Sequence, residues 1–248
     1  MAPIVVLITG ANRGIGKGLL ELYLAKPNHS VIAANRNPDH PTSKALAGLP
    51  TADGTTLRII KIDATSATDP FHAAEELISQ GIDYIDILIA NAGIALSWPK
   101  VSEVTTEHIQ KHVDTNAYGF IRLYQAFLPL LKASHDPKLV TIGSASAFLT
   151  VRQNFIPMRN AAYAPTKLLQ HWYTKAISEE EPWLTAFPID PGWTQTDLGN
   201  RGAESFGVEK AVLTVEDSVR GVLGVIDAST RETHSGKLWK YDGNQEPW

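Results

Sequence analysis

The stretch Thr9-Gly10-Ala11-Asn12-Arg13-Gly14-Ile15-Gly16 follows a short apolar run, Ile4 to Ile8, and leads into a segment of helical character. Glycine adopts positive φ readily and lets a phosphate approach the backbone closely, while a helix N-terminus offers free N–H groups to an anion. A strand, a glycine-rich turn and a helix in this order predict a site for the pyrophosphate of a dinucleotide. The same pattern also occurs in ordinary turns between a strand and a helix, so the loop alone does not decide the function.

Short β-branched runs alternate with helix-length segments along the rest of the chain. We predict strands at 4–8, 31–34, 57–62, 85–89 and 139–142, and helices at about 15–26, 68–80, 105–131, 161–180 and 215–228. Because near-continuous apolar strands are buried on both faces, this alternation predicts an α/β fold with a doubly wound parallel sheet and helices on both faces. No linker divides the chain, so we expect a single domain over residues 1–248, with substrate loops at about 144–160 and 191–210 after predicted strands.

The composition excludes several classes of protein. The 248 residues carry 22 Lys+Arg against 26 Asp+Glu, a formal net charge of -4, and show no basic cluster for nucleic acid or an anionic membrane surface. The absence of cysteine removes disulfides, thiolate nucleophiles and cysteine-bound zinc. His108 and His112 stand four apart but have no evident third ligand, so no metal role is proposed. No apolar run is long enough to span a bilayer, and we expect a cytoplasmic protein.

The second predicted strand ends near Asn35-Arg36, where a dinucleotide fold that prefers NAD carries an acidic residue for the ribose hydroxyls. Here the position is neutral or basic. Arg36 and Arg13 are candidates to face a 2′-phosphate, which a guanidinium binds in bidentate fashion. We therefore predict NADP(H) as the cofactor; the alternative is two solvated arginines.

Tyr163 and Lys167 stand four residues apart, which on a helix places both side chains on one face. Pro165 between them requires this pair to lie in the first turn of that helix, where the missing N–H does no harm. A phenol with a pKa of ~10 is a poor acid near neutrality, and a nearby ammonium would favour the phenolate. Taken alone, the pair is more often a packed aromatic and a surface charge.

Taken together, these residues resemble the short-chain dehydrogenase/reductase family over essentially the whole chain. Its motifs occur in order: the glycine loop from Thr9 to Gly16, Asp63, Asn91-Ala92-Gly93, Asn116, Ser144, Tyr163 with Lys167, and Pro191-Gly192 followed by Thr194 and Thr196. The resemblance implies a single-domain Rossmann fold of about seven strands. It also implies a homodimer or homotetramer with contacts through the helices at 105–131 and 161–180.

The resemblance implies four catalytic residues. Tyr163 would protonate the substrate oxygen during hydride transfer, and Ser144 would hold that oxygen. Lys167 would bind the nicotinamide ribose and lower the pKa of Tyr163, while Asn116 would hold a water in a proton relay. Ser146 is an alternative to Ser144, which is favoured because it follows Ile142-Gly143 at the predicted strand end.

The implied cofactor contacts follow the same motifs. Asp63 would contact the adenine, Asn91 and Gly93 would support the adenosine ribose, and the backbone near Ile189 with Thr194 would contact the nicotinamide. Turn capping is the plain alternative for Asp63. The full set of implied cofactor-binding positions is Gly10, Asn12, Arg13, Gly14, Ile15, Gly16, Arg36, Asp63, Asn91, Gly93, Tyr163, Lys167, Ile189, Thr194 and Thr196.

Four features bear on the substrate. Nineteen positions separate Ser144 from Tyr163, several more than is usual in the family, and Thr166 stands where serine is common. Residues 191–199 and the tail from Tyr241 to Trp248 resemble the branch that includes fungal norsolorinic-acid-type ketoreductases and C-factor-like proteins. Aromatic and apolar residues fall in the expected cleft segments, namely Trp98, Phe148, Phe155, Met158, Trp193 and Phe206.

The expected function is therefore NADPH-dependent reduction of a hydrophobic carbonyl compound, an aromatic or polycyclic ketone or an aldehyde, in secondary metabolism. The alternative is a non-redox or sensor protein on the same fold that binds NADP(H) and a natural-product intermediate. The intact set of Ser144, Tyr163, Lys167 and Asn116 disfavours this alternative, because a binding module needs no proton relay.

Overall fold

The computed structural model describes residues 2–150 and 159–248. Eight strands form one sheet: β1 (Ile4–Thr9), β2 (His29–Asn35), β3 (Thr56–Lys61), β4 (Ile87–Ala90), β5 (Lys138–Ile142), β6 (Thr185–Asp190), β7 (Leu238–Lys240) and β8 (Gln245–Glu246). Their order across the sheet is β3-β2-β1-β4-β5-β6-β7-β8. The first seven strands run parallel, which confirms the predicted doubly wound sheet. β8 is antiparallel to β7 because a tight turn with Gly243 at φ +82° reverses the chain.

Nine α-helices connect and cover the strands: α1 (Gly14–Leu24), α2 (Pro41–Lys44), α3 (Asp69–Ser79), α4 (Thr106–Val113), α5 (Gly119–Lys132), α6 (Ala164–Glu180), α7 (Asp197–Ser205), α8 (Val215–Ala228) and α9 (Arg231–His234), counted over the described residues. The predicted helix at 105–131 is interrupted by a π-helical turn, Asp114–Tyr118, between α4 and α5. Within residues 2–150 and 159–248, no helix is both long enough and apolar enough to cross a membrane.

Two apolar layers lie on opposite faces of the sheet. In β1, Val5 and Leu7 contribute to one layer, while Val6 and Ile8 contribute to the other. The first layer packs against α3, α5 and α6, and the second against α1 and α8. Central strands are therefore buried on both sides, which explains why they are apolar at consecutive positions instead of alternating.

The strand order indicates a ligand-binding position between β1 and β4. From β1 the chain builds outward through β2 and β3, and then crosses to β4 on the other side. In open α/β sheets, ligands bind outside the carboxyl ends of the strands at such a switch point. Thr9 ends β1 at this edge, and Asn91 follows β4 beside it.

Candidate active site

The glycine loop joins the end of β1 to the start of α1. Gly10 and Gly14 have φ values of +64° and +54°, a backbone conformation that L side chains rarely adopt. The Asn91 side-chain amide donates to the carbonyl oxygens of Thr9 (2.8 Å) and Gly10 (3.2 Å), so the end of β4 holds the loop in place. Asn91 therefore supports the glycine loop, in addition to its predicted place beside the adenosine ribose.

The start of α1 fits a bound pyrophosphate. Arg13 is the N-cap residue, but its side chain makes no capping hydrogen bond, and the first turn contains no acidic residue. The N–H groups of this turn thus lack a side-chain acceptor, and the positive end of the helix dipole favours an anion there. Asn12 donates to the Thr42 hydroxyl over 2.6 Å, which ties the loop to α2.

Arg13 and Arg36 differ in their surroundings. The Arg13 guanidinium lies 3.3 Å from the carboxylate of Asp197 at the start of α7, and both side chains are largely exposed. Arg36 is exposed directly after β2. Asn35, the last residue of β2, is buried, and neither polar atom of its side-chain amide has a hydrogen-bond partner. A buried and unpaired amide next to the exposed Arg36 is a polar feature that the sequence did not indicate.

The segment that enters α7 lies against the glycine loop. A Cβ atom on Gly14 would lie 3.1 Å from the Thr196 side chain. The Thr196 hydroxyl accepts from the backbone N–H of Gly199 (3.0 Å) and so caps α7. Thr196 is thus at the predicted cofactor site, with its side-chain oxygen in use as a helix cap.

Asp63 and Thr194 use their side chains within the protein. Asp63 accepts from the backbone N–H (2.9 Å) and the hydroxyl (2.8 Å) of Thr65, which is the turn-capping alternative. The Thr194 hydroxyl is buried and lies 3.1 Å from the carbonyl oxygens of Pro191 and Gly192 and from the hydroxyl of Ser218. The adenine contact of Asp63 and the nicotinamide contact of Thr194 stay predictions.

Asn116 lies in the π-helical turn and is fully buried. Its amide oxygen accepts from the backbone N–H of Ile94 (2.8 Å), and its NH₂ group donates to the Ile94 carbonyl (2.9 Å) and the Thr166 hydroxyl (3.0 Å). Asn116 therefore connects the loop after β4 to the first turn of α6. Its predicted water-holding role is not tested by these bonds.

Lys167 reaches back from the first turn of α6 to the end of β5. Its ammonium donates to the carbonyl oxygen of Ile142 and to the side-chain oxygen of Gln170, each over 2.8 Å. Burial lowers the pKa of Lys167 to about 7. A Cβ atom on Gly93 would lie 3.5 Å from the Lys167 ammonium and 3.3 Å from the Asn116 amide oxygen. The glycine therefore keeps space open beside both predicted catalytic residues.

Tyr163 precedes α6 as its N-cap residue, with Pro165 in the first turn as predicted. Its ring centroid lies 5.9 Å from the Lys167 ammonium. Burial of the phenol raises the pKa of Tyr163 above its usual value, a hydrogen bond with Ser144 acts in the opposite direction, and the negative charge of Asp190 raises it further. The predicted lowering of the Tyr163 pKa by Lys167 stays a prediction.

Ser144, the favoured one of the two candidate serines, lies near the Tyr163 phenol. Ser144 lowers the pKa of the Tyr163 phenol through hydrogen bonding, and its hydroxyl oxygen lies 2.8 Å from that of Ser146. Ser144 is also the N-cap of a short 3₁₀ turn, Ala145–Ala147, where its side chain accepts from the Ser146 N–H. The two hydroxyls are therefore neighbours, and the assignment of Ser144 as the hydroxyl that holds the substrate oxygen stays a prediction.

Two residues that the sequence reasoning did not select contact the backbone at Ser144. His171 Nε2 accepts from the Ser144 N–H (3.3 Å), and the Asp190 carboxylate accepts from the Ala145 N–H (3.0 Å). His171 stands four residues after Lys167 on the same face of α6, and this spacing was the available signal. Asp190, the last residue of β6, holds the loop after the adjacent strand β5, and only the strand order reveals this contact.

The predicted substrate-lining residues divide into two groups. Phe206 lies edge-on to Trp98 and Trp193, with ring centroids 6.2 and 6.3 Å apart, so these three rings form one cluster beside α7. Phe148 is buried and packs against His171 at 6.0 Å, which makes it a support for the Ser144 loop and not an open wall. Phe155 and Met158 lie outside the described residues.

Comparison with known proteins agrees with this arrangement. The family model for short chain dehydrogenase matches residues 4–205. The chain is 40% identical to norsolorinic acid ketoreductase nor1 of Dothistroma septosporum, covering 98% of this chain and 91% of that protein, and 38% identical to norsolorinic acid ketoreductase of Aspergillus parasiticus with the same coverage. The crystal structure of NADPH-bound carbonyl reductase from chicken fatty liver superimposes with a TM-score of 0.86 at 25% identity over 100% of both chains. This chain belongs to the short-chain dehydrogenase family of oxidoreductases.

Proposed function

We propose that the protein is an NADPH-dependent carbonyl reductase that converts a hydrophobic ketone or aldehyde into the alcohol. The observation that carries this proposal is the Lys167 ammonium 5.9 Å from the centroid of the Tyr163 ring, with Ser144 near enough to the phenol to influence its pKa. A binding module would have no need for an acid, a hydroxyl and an ammonium at one point. The glycine loop lies across the same edge of the sheet, where a dinucleotide would bind.

The chemistry divides between the cofactor and the side chains. A reduced nicotinamide, when bound beside the glycine loop, would be the source of the hydride for the carbonyl carbon. Tyr163 gives its phenolic proton to the carbonyl oxygen, and the Ser144 hydroxyl donates a hydrogen bond to the same oxygen as negative charge develops there. The raised pKa of Tyr163 keeps the phenol protonated at neutral pH but also makes it a weaker acid, which hydrogen bonding with Ser144 offsets in part. Hydride and proton together yield the alcohol.

Lys167 is suited to hold and exchange a proton close to the phenol. Because its pKa lies at about 7, the Nζ atom takes up and releases a proton near neutral pH. The Ile142 carbonyl and the Gln170 amide oxygen accept its hydrogen bonds and fix its position. Asn116 donates a hydrogen bond to Thr166 in the same turn of α6. Asn116 therefore helps to hold Lys167 and Tyr163 in position relative to each other.

The preference for NADPH rests on the end of β2. Arg36 follows the strand with its side chain exposed, and within the described parts of the chain it pairs with no carboxylate. Arg13 is held by Asp197 instead, so Arg36 is the residue we assign to the 2′-phosphate. A neutral or basic residue here also avoids the repulsion that an acidic residue would exert on that phosphate.

An aromatic or polycyclic ketone is the substrate class that the surroundings favour. The cluster of Trp98, Trp193 and Phe206 connects the loop after β4 with both ends of α7. Flat aromatic ligands gain from edge and offset contacts with such rings. The names of the two ketoreductase relatives support the same class of substrate.

A homodimer or homotetramer is the assembly we propose. Trp172 and Leu169 on α6 are 63% and 39% exposed, and Tyr118, next to α5, is 44% exposed. Large apolar side chains on adjoining helices are costly to leave in water and are typical of subunit contacts. Light scattering of the purified chain measures the assembly directly.

The test of function is oxidation of NADPH, compared with NADH, over a panel of polycyclic aromatic ketones, quinones and simple aldehydes. Tyr163→Phe should lower kcat by roughly 100-fold or more, since a positioned acid contributes about that much, while NADPH still binds. Tyr173→Phe on the same helix is the matched control and should keep its activity. If the wild-type chain binds NADPH but reduces no carbonyl, or if Tyr163→Phe keeps full turnover, the proposal is wrong.

A further inference from the structure

Tyr163, Lys167 and His171 occupy successive turns along one face of the start of α6. The first two belong to the catalytic set, whereas the third points at the backbone of Ser144. His171 Nε2 lies 3.3 Å from the Ser144 nitrogen in hydrogen-bonding geometry. One helix face thus provides the acid, the ammonium and a contact to the residue that holds the substrate oxygen.

We propose that His171 is a positioning residue for Ser144: its Nε2 atom accepts the Ser144 N–H and thereby fixes the direction of the Ser144 hydroxyl. The inference rests on the proposed carbonyl reductase activity. It identifies His171 Nε2 as the hydrogen-bond acceptor for the Ser144 N–H, which follows the end of β5.

The site is built to hold an imidazole in this place. His171 is 1% exposed and lies between the ring of Phe148 at 6.0 Å and the ring of Trp248 at 6.5 Å. Position 143 is glycine, and a Cβ atom there would overlap with Nε2 and lie 3.1 Å from Cδ2. The two aromatic rings fix the plane of the imidazole, and the missing side chain at Gly143 lets it approach the strand end.

The hydrogen bond requires one particular form of the imidazole. Since the Ser144 N–H donates, Nε2 must carry its lone pair, and the proton of a neutral ring then lies on Nδ1. Burial, together with the positive charge of Lys167, lowers the pKa of His171 to about 3. The ring therefore stays neutral through the working pH range, and the acceptor is always present.

The neighbouring N–H is held in the same manner. Ala145 donates to the Asp190 carboxylate, so two consecutive N–H groups are bound by side chains from α6 and β6. Ser144 Oγ lies 2.8 Å from the Ser146 hydroxyl and near enough to Tyr163 to influence its pKa. Without the His171 acceptor, the Ser144 N–H would be buried against an apolar ring, and the loop would have to move to satisfy it.

The experiment compares two variants at position 171. His171→Phe keeps an aromatic ring between Phe148 and Trp248 but has no acceptor, whereas His171→Gln retains an acceptor near the Nε2 position. We expect His171→Phe to lower kcat by about five- to tenfold, the effect of one lost hydrogen bond, with NADPH affinity unchanged. His171→Gln should restore most of the wild-type kcat.

A second comparison tests whether the effect passes through Ser144. In a Ser144→Ala background, adding His171→Phe should change kcat by less than about twofold, because the hydroxyl that it positions is gone. An equal loss in both backgrounds, or a Gln variant as poor as the Phe variant, would overturn the proposal.

A third measurement does not depend on activity. In ¹⁵N-imidazole NMR spectra of the wild-type protein, His171 should appear as the neutral tautomer with the proton on Nδ1. A proton on Nε2 would exclude the hydrogen bond and overturn the proposal even if the variants fail to fold. Absence of turnover in the wild-type chain would instead count against the proposed function, and the NMR result would still decide whether His171 holds Ser144.

Discussion

The backbone N–H of Ala145 donates to the carboxylate of Asp190 over 3.0 Å, which fixes the loop after β5 to the end of β6. Asp190 is 4% exposed, and burial raises its pKa to about 6 although backbone hydrogen bonds from Ala145 and Gly192 partly offset this rise. A carboxylate in such a place stabilises the loop geometry and at the same time costs free energy through its buried charge.

This cost predicts how stability depends on pH. Since the folded-state pKa of Asp190 lies above the ordinary value of 3.8, the folded protein binds a proton more tightly than the unfolded chain. The resulting stabilisation is complete below pH ~4 and is lost as the pH rises through about 6, by up to about 3 kcal/mol. In Asp190→Asn this loss should disappear, which urea unfolding at pH 4, 5, 6 and 7 measures.

The control for this prediction is Asp39→Asn. Asp39 is an exposed carboxylate paired with Lys44, so its removal should leave the pH dependence of the wild-type protein unchanged. Identical pH profiles for wild type and Asp190→Asn would show that Asp190 titrates normally in the folded protein.

Gly16 permits the close approach of three chain segments. A Cβ atom at this position would overlap with the carbonyl oxygen of Gly10 and with the side-chain amide of Asn91. Gly16→Ala should therefore displace the glycine loop, lower the free energy of unfolding by about 1–3 kcal/mol and weaken NADPH binding. Urea unfolding and fluorescence titration with NADPH measure the two effects.

Gly224 provides the matched control, because it lies in the interior of helix α8 with no atom within 4 Å of an added Cβ. Gly224→Ala should raise stability by about 0.5–1 kcal/mol, since alanine restricts the unfolded chain, and should leave NADPH binding unchanged. If Gly16→Ala behaved like Gly224→Ala, the close contact at Gly16 would not be restrictive.

The fold followed from sequence because its signals are local. The apolar runs and the loop from Thr9 to Gly16 each lie within a few residues, and α3 and α8 begin and end within one residue of the predicted limits. The antiparallel strand β8 is only two residues long and has no periodic pattern to detect. The π-helical turn at Asn116 was hidden inside a long helical pattern, and the side-chain bonds of Asn116 to Ile94 and Thr166 join it to residues distant in sequence.

The site was predictable only in part, because much of its support comes from residues far apart in sequence. Asp190 contacts Ala145 across 45 positions, and His171 contacts Ser144 across 27. Neither pairing follows from spacing alone, since the Asp190 contact depends on β5 and β6 lying side by side and the His171 contact depends on α6 packing against the end of β5. Similarly, the contact of Arg13 with Asp197 spans 184 positions, and it changes which arginine we assign to a 2′-phosphate.

Cofactor choice should depend on Arg36. The Arg36 side chain is exposed and directly follows the buried Asn35 at the end of β2. Arg13, in contrast, is paired with Asp197. Replacement of the guanidinium in Arg36→Asp removes a charge-assisted contact to a 2′-phosphate and adds repulsion, so the Kd for NADPH should rise roughly 10- to 100-fold. The Kd for NADH should change little, because NADH carries no such phosphate. Fluorescence titration with both cofactors at one ionic strength measures this ratio.

Arg220→Asp separates this local effect from the general change in charge. Arg220 is an exposed arginine on α8, paired with Glu216 within the same helix, and its replacement alters the net charge by the same amount. If both variants weakened NADPH binding equally, the effect would be one of overall charge. If Arg36→Asp bound NADPH as tightly as the wild type, the 2′-phosphate would have to be held elsewhere, and Arg13 released from Asp197 would be the next residue to replace.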